Sequence, residues 1–129
     1  MQKYQKTMGT DTELAFATSI WEPQVPFPHS KEFAALFDST YHREPSYHAA
    51  TAYAAGQILE AAIELAGSLK LDMIRQAMLD LDYTSIIGRY AVDKTGMQIK
   101  CFPLIIQWQN GKKKIVWPDD IRTTIPIFK

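Results

Sequence analysis

The chain has 129 residues, of which 47% are hydrophobic and 22% charged, and its 14 basic side chains balance its 14 acidic ones. Zero formal charge argues against a dedicated nucleic-acid or anionic-membrane binder, which needs a wide basic field, and this composition suits one globular unit. The single cysteine, Cys101, excludes an internal disulfide and a cysteine-rich zinc site, and it is expected to act as a small buried hydrophobe.

The first 28 residues predict a short strand followed by a stiff connector. Residues 1–11 are polar and lack the apolar core of a signal peptide, so either the chain is cytoplasmic or this is not its native start. The loose alternation of apolar residues over 13–20 favours a strand. Residues 21–28 carry three prolines, which stop regular structure and favour an extended crossing between two structural units. Glu22 in this connector is expected to be solvated.

Three helices are predicted in the middle of the chain. Ser30 is expected to cap a helix over residues 31–41. Ser46 is expected to cap a long, alanine-rich helix over residues 47–66, and a third helix follows over residues 71–81. No run of 18 apolar residues occurs, so no membrane-spanning helix is expected.

Two hairpins and a tail are predicted after the helices. Asp93 to Gly96 supply the turn of one hairpin, called the second hairpin below, and Asn110-Gly111 supplies a two-residue loop for the terminal hairpin. That loop places Trp108 opposite Lys113 and predicts that the three tip lysines are solvated. The tail contains a strand-like segment, IRTTIPIF, which is interrupted by Pro126. One face of the terminal hairpin is expected to carry Leu104, Ile106, Trp108, Lys113, Ile115 and Trp117.

The residue types give little support for catalysis or metal binding. The histidines match no compact metal-ligand spacing, and no nucleophile or phosphate-binding motif occurs, so no cofactor and no metal are expected. The Asp119-Asp120 pair is expected to lie in a solvated turn. An enzyme would need a cluster from separate parts of the chain, such as His48 with Glu22 and Asp93.

The start of the long helix is the strongest candidate site. Ser46, Tyr47 and His48 stand where a helix presents free N–H groups and the positive end of its dipole, which suit a carboxylate. Aromatic walls beside such a terminus favour a pocket for a small zwitterionic or carboxylate-bearing ligand. The alternative is that Ser46 only caps the helix and Tyr47 only packs.

The order of these segments resembles the C-terminal third of the type I periplasmic solute-binding proteins, the branched-chain amino acid and amide receptors of ABC transporters. The likeness covers about residues 9 to 126 and rests on the order of several segments taken together, since no single segment is specific. It implies an α/β fold: a partial Rossmann-like type I fold with about three helices, one leading strand and two C-terminal hairpins. The segments are the strand ending in WEP, then SKEFAALF, EPSYHAATAYAAGQILEAAIELAGS, IRQAMLDLDYTSIIGRYAVDKTGMQI and IIQWQNGKKKIVWP.

The resemblance also implies how the chain divides between the two lobes of that fold. Residues 1–20 would end the second lobe, and residues 21–28 would cross to the first lobe. Residues 29–101 would supply helices and a hairpin to the first lobe. Residues 102–129 would return to the second lobe with the terminal hairpin and tail.

The function implied is a fragment of the substrate-binding component of an ABC importer, which binds an amino acid or amide-like solute in the interlobe cleft without catalysis. Tyr47, His48, Ser46 and Trp21 would contact the ligand, and an ABC permease would be the partner. The location implied is periplasmic or extracellular, although no signal peptide is present here. A ligand-sensing module with the same fold is the main alternative. Since much of the fold would be absent, exposed apolar patches and self-association are expected.

Overall fold

The computed structural model describes residues 7–128 and has the predicted order of elements: one strand, three helices and two hairpins. This is a partial α/β fold of the expected kind. A 3-10 turn at Gly9–Thr12 precedes the first strand. The elements are β1 Phe16–Ser19, α1 Ser30–Tyr41, α2 Tyr47–Ala66, α3 Leu71–Asp80, β2 Tyr83–Ser85, β3 Gly88–Tyr90, β4 Leu104–Gln109 and β5 Lys112–Trp117.

The leading strand and the terminal hairpin form one antiparallel sheet in the order β1-β4-β5. The two-residue loop sets the register as predicted, with Trp108 opposite Lys113. A bulge at Ile105/Ile106 then pairs Ile105 with Trp117 and leaves Val116 as the extra residue. The expectation that Trp117 shares a face with Trp108 is therefore wrong: Val116 is buried and Trp117 is 45% exposed.

The second hairpin differs from the prediction because its paired strands turn earlier. Ser85 and Gly88 pair directly, so β2 and β3 are joined by a tight connection. The predicted turn ending at Gly96 is also present: Gly96 has a φ of 86° and its N–H donates to the Asp93 carbonyl at 2.9 Å. Only an isolated bridge, Val92 to Gln98, extends this second turn within the described residues.

The helices match their predicted ranges closely, but the expected cap of α1 is wrong. Ser30 is the first residue of α1, and its hydroxyl accepts a hydrogen bond from Trp21 instead of capping the helix. Ser46 does cap α2, since its Oγ accepts from the Ala49 N–H at 3.3 Å. Glycine at position 67 ends α2 in the left-handed conformation.

One apolar core joins the sheet to α1 and α2. Its sheet contribution comes from alternate residues of β4 and from β5, and small residues of α2 allow close approach. Trp21 from the connector packs among them. The buried members are Trp21, Val25, Phe33, Ala50, Ala54, Ile86, Leu104, Ile106, Trp108 and Ile115.

The tail crosses the other face of the sheet without forming a strand, contrary to the sequence expectation. Two buried glutamines of β4 hold it. Gln107 Nε2 donates to the Ile127 carbonyl at 2.8 Å and its Oε1 accepts from the Ile127 N–H at 2.9 Å. Gln109 Nε2 donates to the Ile125 carbonyl at 3.0 Å. Side-chain amides therefore replace backbone pairing here, because Pro126 interrupts the segment and has no N–H.

Along residues 7–128, none of the helices combines the length and the apolar character that a membrane crossing requires.

Candidate functional site

A cavity of about 410 Å³ lies between the connector and the start of α2. Three separate parts of the chain form its walls: the residues that follow β1, the loop between α1 and α2 with the first residues of α2, and one residue of β5. The volume is within the range of small-ligand sites. The lining residues are Trp21, Glu22, Pro23, Arg43, Glu44, Pro45, Ser46, Tyr47, His48 and Lys113.

The start of α2 forms one wall of the cavity. Ser46 has extended backbone and caps the helix, and no acidic residue lies in the first turn. The rings of Tyr47 and His48 stack with centroids 4.0 Å apart. This end of a 20-residue helix offers the positive end of the dipole and the N–H groups of the first turn beside two aromatic rings.

Trp21 is a fixed part of the opposite wall. Only 1% of its surface is exposed. Its Nε1–H donates to the Ser30 Oγ at 2.8 Å, and its ring meets Phe33 edge-on at 5.6 Å between centroids. Because its polar group is satisfied inside the protein, Trp21 offers the cavity an apolar edge and a constant position.

Glu22 and Lys113 form a largely buried ion pair in the same wall, which corrects two sequence expectations. The Lys113 Nζ donates to the two Glu22 carboxylate oxygens at 3.0 and 2.8 Å. The side chain of Glu22 is only 3% exposed and that of Lys113 is 26% exposed. Glu22 is therefore not a solvated turn residue, and Lys113 does not belong to a solvated tip. The pair joins the connector to β5 across 91 residues of sequence.

Arg43 brings a second cation to the cavity. It follows α1, and its guanidinium carbon lies 5.6 Å from the centre of the Phe37 ring, within cation–π distance. Glu44 beside it also lines the cavity. The formal charges of the walls cancel, because Lys113 pairs with Glu22 and the charge of Glu44 balances that of Arg43. The start of α2 and the aromatic rings therefore make the cavity suit a ligand that carries an anionic group and an apolar part.

All four residues predicted to contact a ligand, Trp21, Ser46, Tyr47 and His48, line this one cavity. Their role in binding remains a prediction. The sequence reasoning missed Arg43 and Lys113. The hairpin register could have indicated Lys113, since it placed this lysine opposite Trp108 on the face that meets the core.

The cluster that an enzyme would need is not assembled at the cavity. His48 and Glu22 both line it, but Asp93 does not. Asp93 instead organises its own turn: its Oδ1 accepts from the Thr95 hydroxyl at 2.6 Å and from the Thr95 N–H at 2.8 Å. These hydrogen bonds lower the pKa of Asp93. Across the described part of the chain, no group of three or more histidine, cysteine, aspartate or glutamate side chains could hold a metal ion.

Cys101 lies beside the second hairpin and away from the cavity walls. It is half-buried rather than fully buried, and its Sγ lies 3.5 Å from the Ile87 carbonyl oxygen. Burial raises the pKa of this thiol. A raised pKa reduces the thiolate fraction at neutral pH.

Residues 2–113 match the sequence model of a protein family that is described as periplasmic binding protein. A leucine-binding protein from Thermotoga maritima is 25% identical, with a TM-score of 0.71 over 92% of this chain and 35% of its own. A Rhodospirillum rubrum protein assigned to branched-chain amino acid ABC transport is 21% identical, with a TM-score of 0.75 over 90% of this chain and 34% of its own. An R. palustris ABC transporter solute-binding protein, solved with benzoate, is 17% identical, with a TM-score of 0.68 over 84% and 31%. The chain thus spans about a third of the length of each of these structures.

Proposed function

The chain belongs to the periplasmic binding protein family, and on that premise we propose that it is a fragment of the substrate-binding component of an ABC importer. It binds an amino acid or amide-like small solute in the cavity beside α2 and performs no catalysis on it. The observation that carries this proposal is the meeting of Trp21, Ser46, Tyr47 and His48 in the walls of one cavity.

We propose that the cavity is one side of a cleft between two lobes. Residues 1–20 and 102–129 belong to the second lobe, residues 29–101 belong to the first, and residues 21–28 cross between them. The shared sheet of β1, β4 and β5 supports this division, because it joins segments that are separated in sequence by all three helices. The cavity walls come from both sides of such a division, with Lys113 on one side and the start of α2 on the other.

The wall chemistry supports a ligand with a carboxylate and an apolar group. The helix terminus favours the anionic group, and the rings of Trp21, Tyr47 and His48 favour the apolar one. Leucine and benzoate, the ligands named for two of the similar structures, share these two features. We propose that this chain acts with an ABC permease in the periplasm, as a carrier of solute and not as an enzyme.

We also propose that the chain associates through apolar surface near β1. This strand lies at the edge of the sheet. Phe16 on β1 is 47% exposed and stacks at 5.8 Å on Phe128, which is 77% exposed. Exposed aromatic side chains beside a sheet edge favour association with another chain. Light scattering after size-exclusion chromatography tests this directly, and a monodisperse monomer at about 100 µM would contradict it.

A calorimetric titration tests the ligand proposal. Leucine and benzoate are added to the purified chain, to the Tyr47→Ala and His48→Ala variants, and to a His42→Asn control. His42 is exposed, lies outside the cavity walls and has a φ of 53°, a conformation that asparagine tolerates. Saturable binding that weakens about tenfold in Tyr47→Ala but not in the control is expected. Absence of binding by the parent chain would refute the proposal.

A further inference from the structure

We propose that Lys113 is the carboxylate-binding residue of this cavity and that the buried Glu22 holds its ammonium in position. The inference rests on the proposed function and specifies its ligand class: the cavity takes a solute with a free carboxylate in preference to the corresponding amide. Neither residue was identified by sequence reasoning as a ligand contact.

The hairpin register delivers Lys113 to the cavity and not to solvent. Lys113 pairs with Trp108 on β4, and Trp108 is 4% exposed on the core-facing side of the sheet. The neighbouring lysine at position 112 pairs with Gln109 and is exposed. Because side chains alternate along a strand, adjacent lysines of one hairpin have different environments. Only Lys113 of these two lines the cavity.

The ion pair leaves the ammonium able to bind a ligand. A lysine ammonium has three N–H donors. Two hydrogen bonds, at 3.0 and 2.8 Å, join Lys113 to the carboxylate of Glu22, which leaves one donor for an acceptor in the cavity. Glu22 is almost fully buried whereas about a quarter of the Lys113 side chain is exposed, so the cation is the accessible member of the pair.

The pair also determines which sign of ligand charge is favoured. A ligand carboxylate at Lys113 completes an alternating series of negative, positive and negative groups, and it gains a charge-assisted hydrogen bond. A ligand ammonium would have to displace Lys113 from Glu22 and would leave a cation without its partner. The first turn of α2 adds positive potential to the opposite wall, where the neighbouring Arg43 and Glu44 carry opposite charges. A neutral amide gains only an ordinary hydrogen bond in the same position.

The test compares benzoate with benzamide, two ligands of nearly equal size that differ in charge. Their affinities are measured by calorimetry for the parent chain, Lys113→Arg, Glu22→Gln, the double variant Glu22→Gln/Lys113→Met, and a Lys112→Met control. The double variant removes both charges, so that no buried carboxylate is left alone to unfold the chain. Lys112→Met removes the same formal charge from the same hairpin outside the cavity.

The parent is expected to prefer benzoate over benzamide, and the double variant is expected to lose about 10- to 100-fold in benzoate affinity, the range of a charge-assisted hydrogen bond. Lys113→Arg retains the preference, and Lys112→Met stays within about twofold of the parent. Glu22→Gln keeps the preference for benzoate but weakens benzoate binding several-fold, since the Lys113 ammonium is no longer held in position by a carboxylate. An unchanged benzoate affinity in Glu22→Gln overturns the positioning role of Glu22.

The remaining outcomes separate this inference from the proposed function. If the parent binds benzoate and benzamide equally, or if the double variant binds benzoate as tightly as the parent, the assignment of Lys113 is overturned while the ligand-binding function stands. If the parent binds neither benzoate nor leucine, the proposed function fails and the inference fails with it.

Discussion

Replacing Lys113 with methionine while Glu22 remains is expected to destabilise the fold more than replacing both residues together. In Lys113→Met the Glu22 carboxylate, 3% exposed, loses the ammonium that accounts for two hydrogen bonds. Removing one partner of a buried ion pair costs about 3–5 kcal/mol. Because Lys113 is 26% exposed and water partly screens the site, we expect about 2–3 kcal/mol.

The free energy of unfolding of the double variant Glu22→Gln/Lys113→Met should lie within about 1 kcal/mol of that of the parent, because no charge is then buried without a partner. Equilibrium urea unfolding followed by circular dichroism measures both values. With a denaturant slope of about 2 kcal/mol/M, the midpoint of Lys113→Met should fall by about 1–1.5 M. The exposed control Lys112→Met should change stability by less than about 0.5 kcal/mol. Equal midpoints for the single and double variants would refute the reasoning, since Glu22 would then not depend on Lys113.

Three further predictions concern the tail, the cap of α2 and the second hairpin. Gln107→Leu should lower the free energy of unfolding by about 2 kcal/mol, because it removes the side-chain amide that both donates to and accepts from the Ile127 backbone. Hydrogen exchange at the Ile127 amide should become faster. Unchanged protection of that amide would argue against Gln107 as the anchor of the tail. Ser46→Ala should lower the free energy of unfolding, measured in urea, by about 0.5–1 kcal/mol, because it removes the cap of α2. Ser46→Asp retains a capping side chain, so an equal loss of stability in both variants would contradict the capping role. The folded pKa of Asp93 lies below its unfolded value, so its contribution to the turn is present above about pH 4 and is lost as pH falls through the folded pKa; a normal pKa in an NMR titration would count against this.

Local signals in the sequence were sufficient for most of the fold. The cap of α2 at Ser46 and the Asn110-Gly111 loop depend on residues within one turn of each other, and both are present as predicted. The predicted register of the terminal hairpin is wrong only at the far end from the loop, where a bulge at Ile105/Ile106 shifts Trp117 to the other face. A bulge has no short-range signature in this stretch, because its position depends on packing against the rest of the core.

The cavity was only partly predictable for the same reason. Ser46, Tyr47 and His48 were found because a helix terminus is a local feature. Glu22 was wrongly expected to be solvated, because its partner Lys113 stands 91 residues away in sequence and no local pattern connects them. Ser30 shows a similar limit. Its position suited a cap, but its hydroxyl accepts from Trp21, nine residues earlier, within the core.

The central claim, that the cavity beside α2 binds a small carboxylate solute, is tested most directly by mapping amide chemical shifts during a titration of the labelled chain with benzoate. Saturable shifts centred on residues 21–23, residues 43–48 and Lys113 are expected, with little change at the tail or the second hairpin. Shifts that do not saturate, or that centre on other residues, would contradict it.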